Sequence, residues 1–272
     1  MKTFSALTIA GSDPSGGAGL QADLKTFHQH GVYGMAVVTL LTVQNTQSVT
    51  RVEVLEAELV RQQIDAVLAD IPPGAVKTGA LGNAAVIEVV AARRFPSPLV
   101  VDPVMVSKHG HALLAEAAQT ALRTKLLPVT TLLTPNTQEA AVLLGTKVDT
   151  LEQAEAAARE LGTRGPKAVL VKGGHLTGPE AIDVLFYDGK LVRIASPRID
   201  TKHTHGTGCT YSAAIAANLA KGHTLEDAVR SAKHWLTEAL ASAPGLGNGI
   251  GPVNHLAPIS PSPRGGEDRG EG

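Results

Sequence analysis

Short apolar runs alternate with helical repeats along the chain. Leu7–Ala10 is a buried-strand pattern, and apolar residues then recur at helical spacing through Leu20, Leu24 and Phe27. The same criteria predict a strand over Gly34–Val43. Further segments complete the alternation: a helix over Glu56–Ala69 and strands at Ala75–Lys77, Leu99–Val101, Thr130–Leu133 and Ala168–Val171. Strands separated by helices predict an α/β fold, a three-layer α/β/α doubly wound, mainly parallel sheet that binds ligands at its carboxyl edge.

Capping and turn residues sharpen this picture. Thr150 with Gln153, and Thr224 with Asp227, are placed to satisfy the free amides of a helical first turn. Asp188-Gly189 separates two strand-like segments and predicts a hairpin turn. We therefore expect one antiparallel pair to join the parallel sheet.

The composition limits the classes of function. A formal net charge of −1 gives no electrostatic reason to expect nucleic acid or an anionic membrane as a partner. The single cysteine, Cys209, excludes an internal disulfide framework. With neither a signal peptide nor a membrane-spanning run, the chain is expected to be cytoplasmic. Pro258–Gly272 has nothing to bury and predicts a disordered tail after a single domain over residues 1–257.

Two nucleotide-binding patterns occur in the wrong context. Gly17–Ala22 satisfies the letters of the dinucleotide fingerprint, but six residues separate it from the strand end at Ala10. The next strand ends at Gln44 rather than at an acid that could bind a ribose. The glycines that begin at Gly11 resemble a P-loop without its lysine. We exclude a dehydrogenase and a P-loop enzyme on these grounds.

The segment His203–Ser212 (HTHGTGCTYS) carries the strongest chemical signal. Gly206 and Gly208 let successive backbone N–H groups face one concavity at a helix N-terminus, which suits phosphate oxygens. Cys209 follows at the helix start, where a thiolate is stabilised. By itself, such a segment is more typical of an ordinary glycine-rich helix cap than of a phosphate site.

Several segments together carry a family resemblance. They are Ala10–Phe27, Gly31–Thr46, Lys77–Leu81, Asp102–Met105, Thr134–Ala140, Val171–Leu176, His205–Tyr211 and Gly251–His255. In this order and spacing, over roughly residues 3 to 256, the chain resembles the hydroxymethylpyrimidine/phosphomethylpyrimidine kinases, a branch of the ribokinase-like superfamily. The resemblance implies that ATP with Mg²⁺ phosphorylates 4-amino-5-hydroxymethyl-2-methylpyrimidine, and then its monophosphate, for thiamine synthesis.

The resemblance assigns the substrate contacts to Gly11, Asp23, Gln44, Ala80 and Val106. A carboxamide offers one acceptor and one donor, so Gln44 can meet a ring nitrogen and the adjacent amine together. An ordinary turn glutamine is the alternative. Ala80 replaces the methionine that is usual in the family, which could loosen substrate packing.

Two neighbouring segments carry further open assignments. Asp13 either helps the first loop approach the substrate or only caps the next helix. Val106–Leu113 resembles the family's flap, in which His109 and His111 are expected to be solvated rather than metal ligands.

Polar residues at other strand ends predict the phosphate and metal site. Asp102 and Glu139 are the candidate Mg²⁺ carboxylates, and the resemblance implies that Asn136 binds the ATP phosphates in the same cluster. Lys172 could neutralise the transferred phosphate and also bind ATP, although an ordinary surface lysine remains open. Glu139 could instead be only a first-turn acid that faces the helix dipole.

Gly206, Gly208 and Thr207 are expected to cradle phosphate, and Cys209 to act on the hydroxyl as a base or as an orienting thiol. An inert buried cysteine is the remaining possibility. Pyridoxal kinase is the alternative activity, and a non-catalytic nucleotide-binding regulator is the alternative class. The superfamily resemblance also implies a homodimer.

Overall fold

A single mixed sheet forms the centre of the molecule. The computed structural model describes residues 3–105 and 115–260, and within them nine strands pair in the order β3-β2-β1-β4-β5-β6-β7-β8-β9. The strands are β1 Ser5–Ser12, β2 Tyr33–Gln44, β3 Val49–Val54, β4 Ala75–Thr78, β5 Leu99–Val101, β6 Leu132–Leu133, β7 Ala168–Val171, β8 Glu180–Tyr187 and β9 Lys190–Pro197. In the sheet, the six central strands β2-β1-β4-β5-β6-β7 are all parallel to their neighbours. At the two edges, β3 pairs antiparallel with β2, β8 with β7, and β9 with β8.

Helices cover both faces of the sheet. They are α1 Gly19–Gln29, α2 Ala57–Asp70, α3 Ala84–Ala92, α4 Glu116–Ala121, α5 Thr137–Leu144, α6 Leu151–Gly162, α7 Thr207–Ala220 and α8 Leu225–Ala241. One apolar core joins the sheet to α2–α6, and a second joins its other face to α1, α7 and α8. Because buried residues alternate between two covered faces, the sheet is the middle layer of three. The predicted three-layer, mainly parallel fold is confirmed.

The local signals read from the sequence have their expected effect. Thr150 forms a capping box with Gln153, and the Thr224 hydroxyl accepts from the Asp227 amide. The β8–β9 hairpin turns at Asp188, where φ is 49°. Strand β3 was not predicted, because most of its VTRVEV residues are exposed and lack an apolar alternation. Edge strands of this kind are held by pairing, here with β2, rather than by burial.

The strand ends place the candidate residues on one edge. Asp102 directly follows β5, Lys172 follows β7, and Gln44 closes β2. The register of β1 against β2 shifts between Ala10 and Ser12, so Gly11 lies at an irregularity that faces this edge. Within the described ranges, every helix is too short or too polar to cross a membrane.

Candidate active site

A cleft of about 1000 Å³ follows the carboxyl edge of the sheet. It gathers predicted residues from seven separate segments of the chain. Those that line it are Gly11, Gln44, Ala80, Asp102, Asn136, Glu139, Lys172, Gly206, Thr207, Gly208 and Cys209. Among the predicted contacts, Asp23 is not part of its wall, and Val106 lies outside the described residues together with His109 and His111.

The glycine-rich loop His205–Gly208 leads into α7. Gly206 is the N-cap in the left-handed region, with φ 76°, and it offers no side chain to the first turn. A Cβ at this position would lie 1.8 Å from the carbonyl oxygen of Gly17, so only glycine allows the two loops to touch. The first amides of a helix have no partner within the helix. The start of α7 therefore presents free N–H donors and the positive end of its dipole to the cleft.

Thr207 offers fewer free hydrogen-bond donors to the cleft than the sequence implied. Its hydroxyl and its amide both bond to the carbonyl oxygen of Thr204, at 2.7 and 3.3 Å. The hydroxyl is therefore used to close the turn. The hydroxyl lone pairs remain available to accept a hydrogen bond, whereas the hydroxyl and amide hydrogens are both directed to Thr204.

A buried ion pair lies opposite the loop. Lys172 Nζ donates to Asp102 Oδ1 at 2.9 Å, and a Cβ on Gly208 would lie 3.2 Å from the same ammonium. Asp102 and Glu139 outweigh the effect of burial and raise the pKa of Lys172. Lys172 is therefore a permanent cation beside the amides of α7, and the alternative of an ordinary surface lysine is wrong.

Asn136 and Glu139 are joined by a capping box. The Asn136 amide donates to Glu139 Oε2 at 2.7 Å, and Asn136 Oδ1 accepts from the Glu139 amide at 2.8 Å. Burial raises the pKa of Glu139 to about 7, with a further contribution from Asp102. Glu139 therefore caps α5 and also brings a second carboxyl group to the cleft.

The carboxyl pair fits a magnesium ion that is completed by nucleotide phosphates. Mg²⁺ is usually held by one or two carboxylates, water and substrate phosphates rather than by a full protein cage. Asp102 and Glu139 supply such a pair of oxygen donors on one wall. Among the described residues, no cluster of three His, Cys, Asp or Glu side chains forms a complete metal site.

Cys209 lies at the third position of α7 and is held as a thiol. Burial raises its pKa to about 11, and the nearby Asp23 and Asp102 add to this effect. Lys77 and an N–H group of Gly19 lower the value by less. Burial and the neighbouring acids therefore oppose the thiolate that the helix N-terminus was expected to stabilise.

Asp23 is a correction to the predicted substrate contacts. Its side chain is 0% exposed, and it accepts from Lys77 Nζ at 2.8 and 3.0 Å and from the Thr8 hydroxyl at 2.6 Å. A carboxylate with these partners is already satisfied and lies behind the cleft wall. The pKa of Lys77 is raised, because Asp23, Cys209 and Asp102 outweigh its burial. The pair therefore holds an ammonium and a carboxylate together in the interior, and both act electrostatically on Cys209.

Gln44 lines the same cleft as Asp102 and Glu139 and contacts the glycine-rich loop. Its Nε2 is 3.2 Å from His205 Nε2, which is also 2.7 Å from Asp13 Oδ2. Asp13 additionally accepts from the amides of Gly17 and Ala18 at the start of α1. Asp13 therefore does more than cap a helix, since it also connects the β1–α1 loop to α7.

The sequence of the whole chain places these features in a family. The phosphomethylpyrimidine kinase model matches residues 13–254.

The chain belongs to the phosphomethylpyrimidine kinase family.

Curated relatives in this family match most of the chain. The hydroxymethylpyrimidine/phosphomethylpyrimidine kinase of Synechococcus elongatus is 48% identical over 258 residues, which is 93% of this chain and 98% of the relative. The enzyme of the same name from Escherichia coli is 47% identical and covers 94% and 98%.

Solved structures agree in fold. A phosphomethylpyrimidine kinase from Clostridium difficile superposes with a TM-score of 0.78 at 41% identity, covering 88% of this chain and 100% of the other. A pyridoxal kinase from Bacillus subtilis, in an ADP complex, superposes with a TM-score of 0.86 at 36% identity, covering 94% and 98%.

The far end of the kinase cleft holds a cluster that the sequence analysis missed. Lys233 Nζ lies 2.8 Å from Asp183 Oδ2, and its ammonium is 5.9 Å from the centre of the Tyr211 ring. Asp183 also accepts the Gly173 amide at 2.9 Å. One signal was available: Asp183 alternates with Leu185 on the buried face of β8, where an acid requires a partner.

Proposed function

We propose that the chain is an ATP-dependent kinase that phosphorylates the hydroxymethyl group of 4-amino-5-hydroxymethyl-2-methylpyrimidine. The resulting monophosphate is the substrate of a second phosphorylation, and the diphosphate serves thiamine synthesis. One observation carries the proposal. A single cleft is lined by the Gln44 amide, the N-terminus of α7 and the Asp102–Lys172 pair.

Charge and position account for the chemistry of the transfer. The loose transition state of phosphoryl transfer needs charge neutralisation and alignment more than it needs a strong base. Lys172 and the free amides at the start of α7 supply positive charge at the transferred group. Gln44 holds the pyrimidine through its amide. Cys209, as a protonated thiol beside these groups, orients the hydroxyl rather than removing its proton.

Asp102 and Glu139 are the residues that would hold Mg²⁺. When bound, this ion neutralises charge on the nucleotide phosphates and aligns them for transfer. The raised pKa of Glu139 supports this assignment, because an ionised carboxylate that is unfavourable in the free protein gains a counter-charge in the complex.

Pyridoxal is the second candidate substrate. Pyridoxal kinases from Staphylococcus aureus superpose on this chain with TM-scores up to 0.87 at 33% identity, and pyridoxal also carries a hydroxymethyl group on a heteroaromatic ring. The Gln44 amide favours the aminopyrimidine, since it pairs with a ring nitrogen and the adjacent amine. The ratio of the two activities therefore reports which ring the site selects.

Product analysis tests the proposal. The chain is incubated with ATP and Mg²⁺ together with the aminopyrimidine alcohol, its synthetic monophosphate or pyridoxal, and the products are identified by mass. We expect a monophosphate from the first substrate and a diphosphate from the second. ATP binding without turnover of any of the three would instead indicate the non-catalytic regulator.

A pair of lysine variants links turnover to the site. Lys172→Met should lower kcat strongly, because it removes the cation that faces the amides of α7. Lys167→Met is the matched control, since Lys167 is exposed just before the same strand. An equal effect of the two substitutions would contradict the assignment of Lys172.

The homodimer and the cytoplasmic location are further proposals. Leu41 and Val43 are 48% and 56% exposed on the same face of β2, and a second subunit would cover such a surface. Light scattering after gel filtration tests the dimer, with a monomer mass as the contrary result. The free thiol of Cys209 is consistent with a reducing compartment, and fractionation of cells tests that location.

A further inference from the structure

His205 occupies a fixed position between two loops. Its side chain is 4% exposed, and its backbone amide donates to the Gly251 carbonyl oxygen at 3.0 Å. The imidazole reaches Asp13, which is 192 residues away in the chain, and it also reaches Gln44. Neither contact is required by the helix that follows. The ring therefore links Gln44, the residue proposed to bind the pyrimidine, to the glycine-rich loop.

The partners of His205 determine which of its nitrogens carries the hydrogen. Asp13 Oδ2 already accepts the amides of Gly17 and Ala18 at 3.2 and 2.9 Å, so it acts as an acceptor. Hydrogen bonds from His205 and Ser15 outweigh burial and lower the pKa of Asp13, in keeping with a carboxylate. His205 Nδ1 is buried and has no partner among the described residues. The hydrogen therefore resides on Nε2 and points to Asp13.

This tautomer restricts the Gln44 amide. A nitrogen that donates to Asp13 cannot accept from an NH₂ group. If the Gln44 NH₂ group faced His205, two hydrogen-bond donors would therefore point at each other. The two orientations of a carboxamide have nearly the same shape, and the surrounding hydrogen bonds select between them. If the Gln44 Oε1 atom faces His205 instead, it accepts the Nε2–H hydrogen together with Asp13. The Gln44 NH₂ group is then directed to the substrate.

We propose that Asp13 and His205 are positioning residues that fix the orientation of the Gln44 amide and thereby select a 4-aminopyrimidine over its 4-oxo analogue. The aminopyrimidine has a ring nitrogen that accepts and an exocyclic amine that donates. Its 4-oxo analogue has the reverse order, a ring N–H beside a carbonyl oxygen. A freely rotating amide would serve either ring, whereas a fixed amide pairs with only one. The inference deepens the proposed function and rests on it.

The test measures the ratio of kcat/KM for the aminopyrimidine alcohol to that for its 4-oxo analogue. We expect the wild-type chain to prefer the aminopyrimidine. His205→Leu should reduce the ratio by about tenfold or more. Most of this change should come from a higher KM for the aminopyrimidine and a lower KM for the 4-oxo analogue. Both substrates meet the same folded fraction in each preparation. Loss of stability alone therefore lowers the two values in parallel and leaves their ratio unchanged.

Two further variants make the result decisive. His205→Asn frees the amide with a shorter polar side chain and serves where the leucine variant does not fold. His255→Asn is the matched control, since His255 is also buried, pairs with the Thr210 hydroxyl at 3.1 Å and lies outside the cleft. Its ratio should equal that of the wild type.

The outcomes separate the inference from the function on which it rests. A lower ratio in a His205 variant, with the His255 control unchanged, supports the inference. An unchanged ratio in both His205 variants, or an equal fall in the control, overturns the inference alone. Failure of the wild-type chain to phosphorylate either pyrimidine overturns the proposed function, and the inference with it.

Discussion

Replacing Glu139 with glutamine should make the free protein more stable at pH 8 while weakening its use of Mg²⁺. Glutamine keeps an oxygen that can accept the Asn136 amide, so the cap of α5 survives. What disappears is a negative charge that burial and Asp102 disfavour. The prediction therefore separates the electrostatic cost of Glu139 from its structural role.

The magnitude follows from the shift in pKa. The pKa of Glu139 rises from 4.5 to about 7, and a tenfold change in a protonation equilibrium corresponds to about 1.4 kcal/mol, so the ionised group costs at most about 3 kcal/mol. The folded state binds this proton more tightly than the unfolded state. The associated stability is therefore complete below pH 4.5 and is lost as the pH rises through about 7.

Urea unfolding at pH 5 and pH 8 measures the effect. We expect Glu139→Gln to exceed the wild type by about 1–3 kcal/mol at pH 8 and by much less at pH 5. Glu152→Gln is the control, because Glu152 lies in the first turn of α6, is exposed and has a lowered pKa. Removing that charge should give no gain at either pH.

Kinase assays complete the test. The Mg²⁺ concentration for half-maximal rate should rise by about ten- to a hundredfold in Glu139→Gln, the usual cost of losing a group that supports a metal site. A loss of stability at pH 8, or an equal change at both pH values, would refute the electrostatic reasoning. A normal Mg²⁺ requirement would remove Glu139 from the metal site.

Three further predictions concern other parts of the chain. Gln44→Leu should raise KM for the pyrimidine by about ten- to a hundredfold and leave KM for ATP nearly unchanged, since one buried polar pair is lost; equal changes in steady-state KM would contradict this. Cys209→Ser should retain at least about a tenth of kcat, because an orienting thiol can be replaced by a hydroxyl, whereas loss of a base would cost about 10²–10⁴-fold. Truncation after Ala257 should leave activity and melting temperature unchanged, since the segment from Pro258 onward is poor in apolar residues; a truncate that melts several degrees lower would show that it docks.

The sequence by itself determined the features that depend on near neighbours. Apolar periodicity located the central strands and most helices, and the pairs Thr150 with Gln153 and Thr224 with Asp227 marked two helix starts. Asp188 and Gly189 specified a hairpin because they adopt backbone angles that other residues avoid. Parallel strands end at a common edge, so residues directly after them, such as Asp102 and Lys172, could be assigned to one site.

Only the tertiary structure decided the state and orientation of the groups within that site. Asp23 is a substrate contact by motif, but Lys77, 54 residues away, holds it behind the wall. Cys209 has a position that favours a thiolate, yet burial among acidic groups keeps it a thiol. Hydrogen-bond partners and desolvation depend on which distant segments meet in space, and residue spacing along the chain carries no direct information about either.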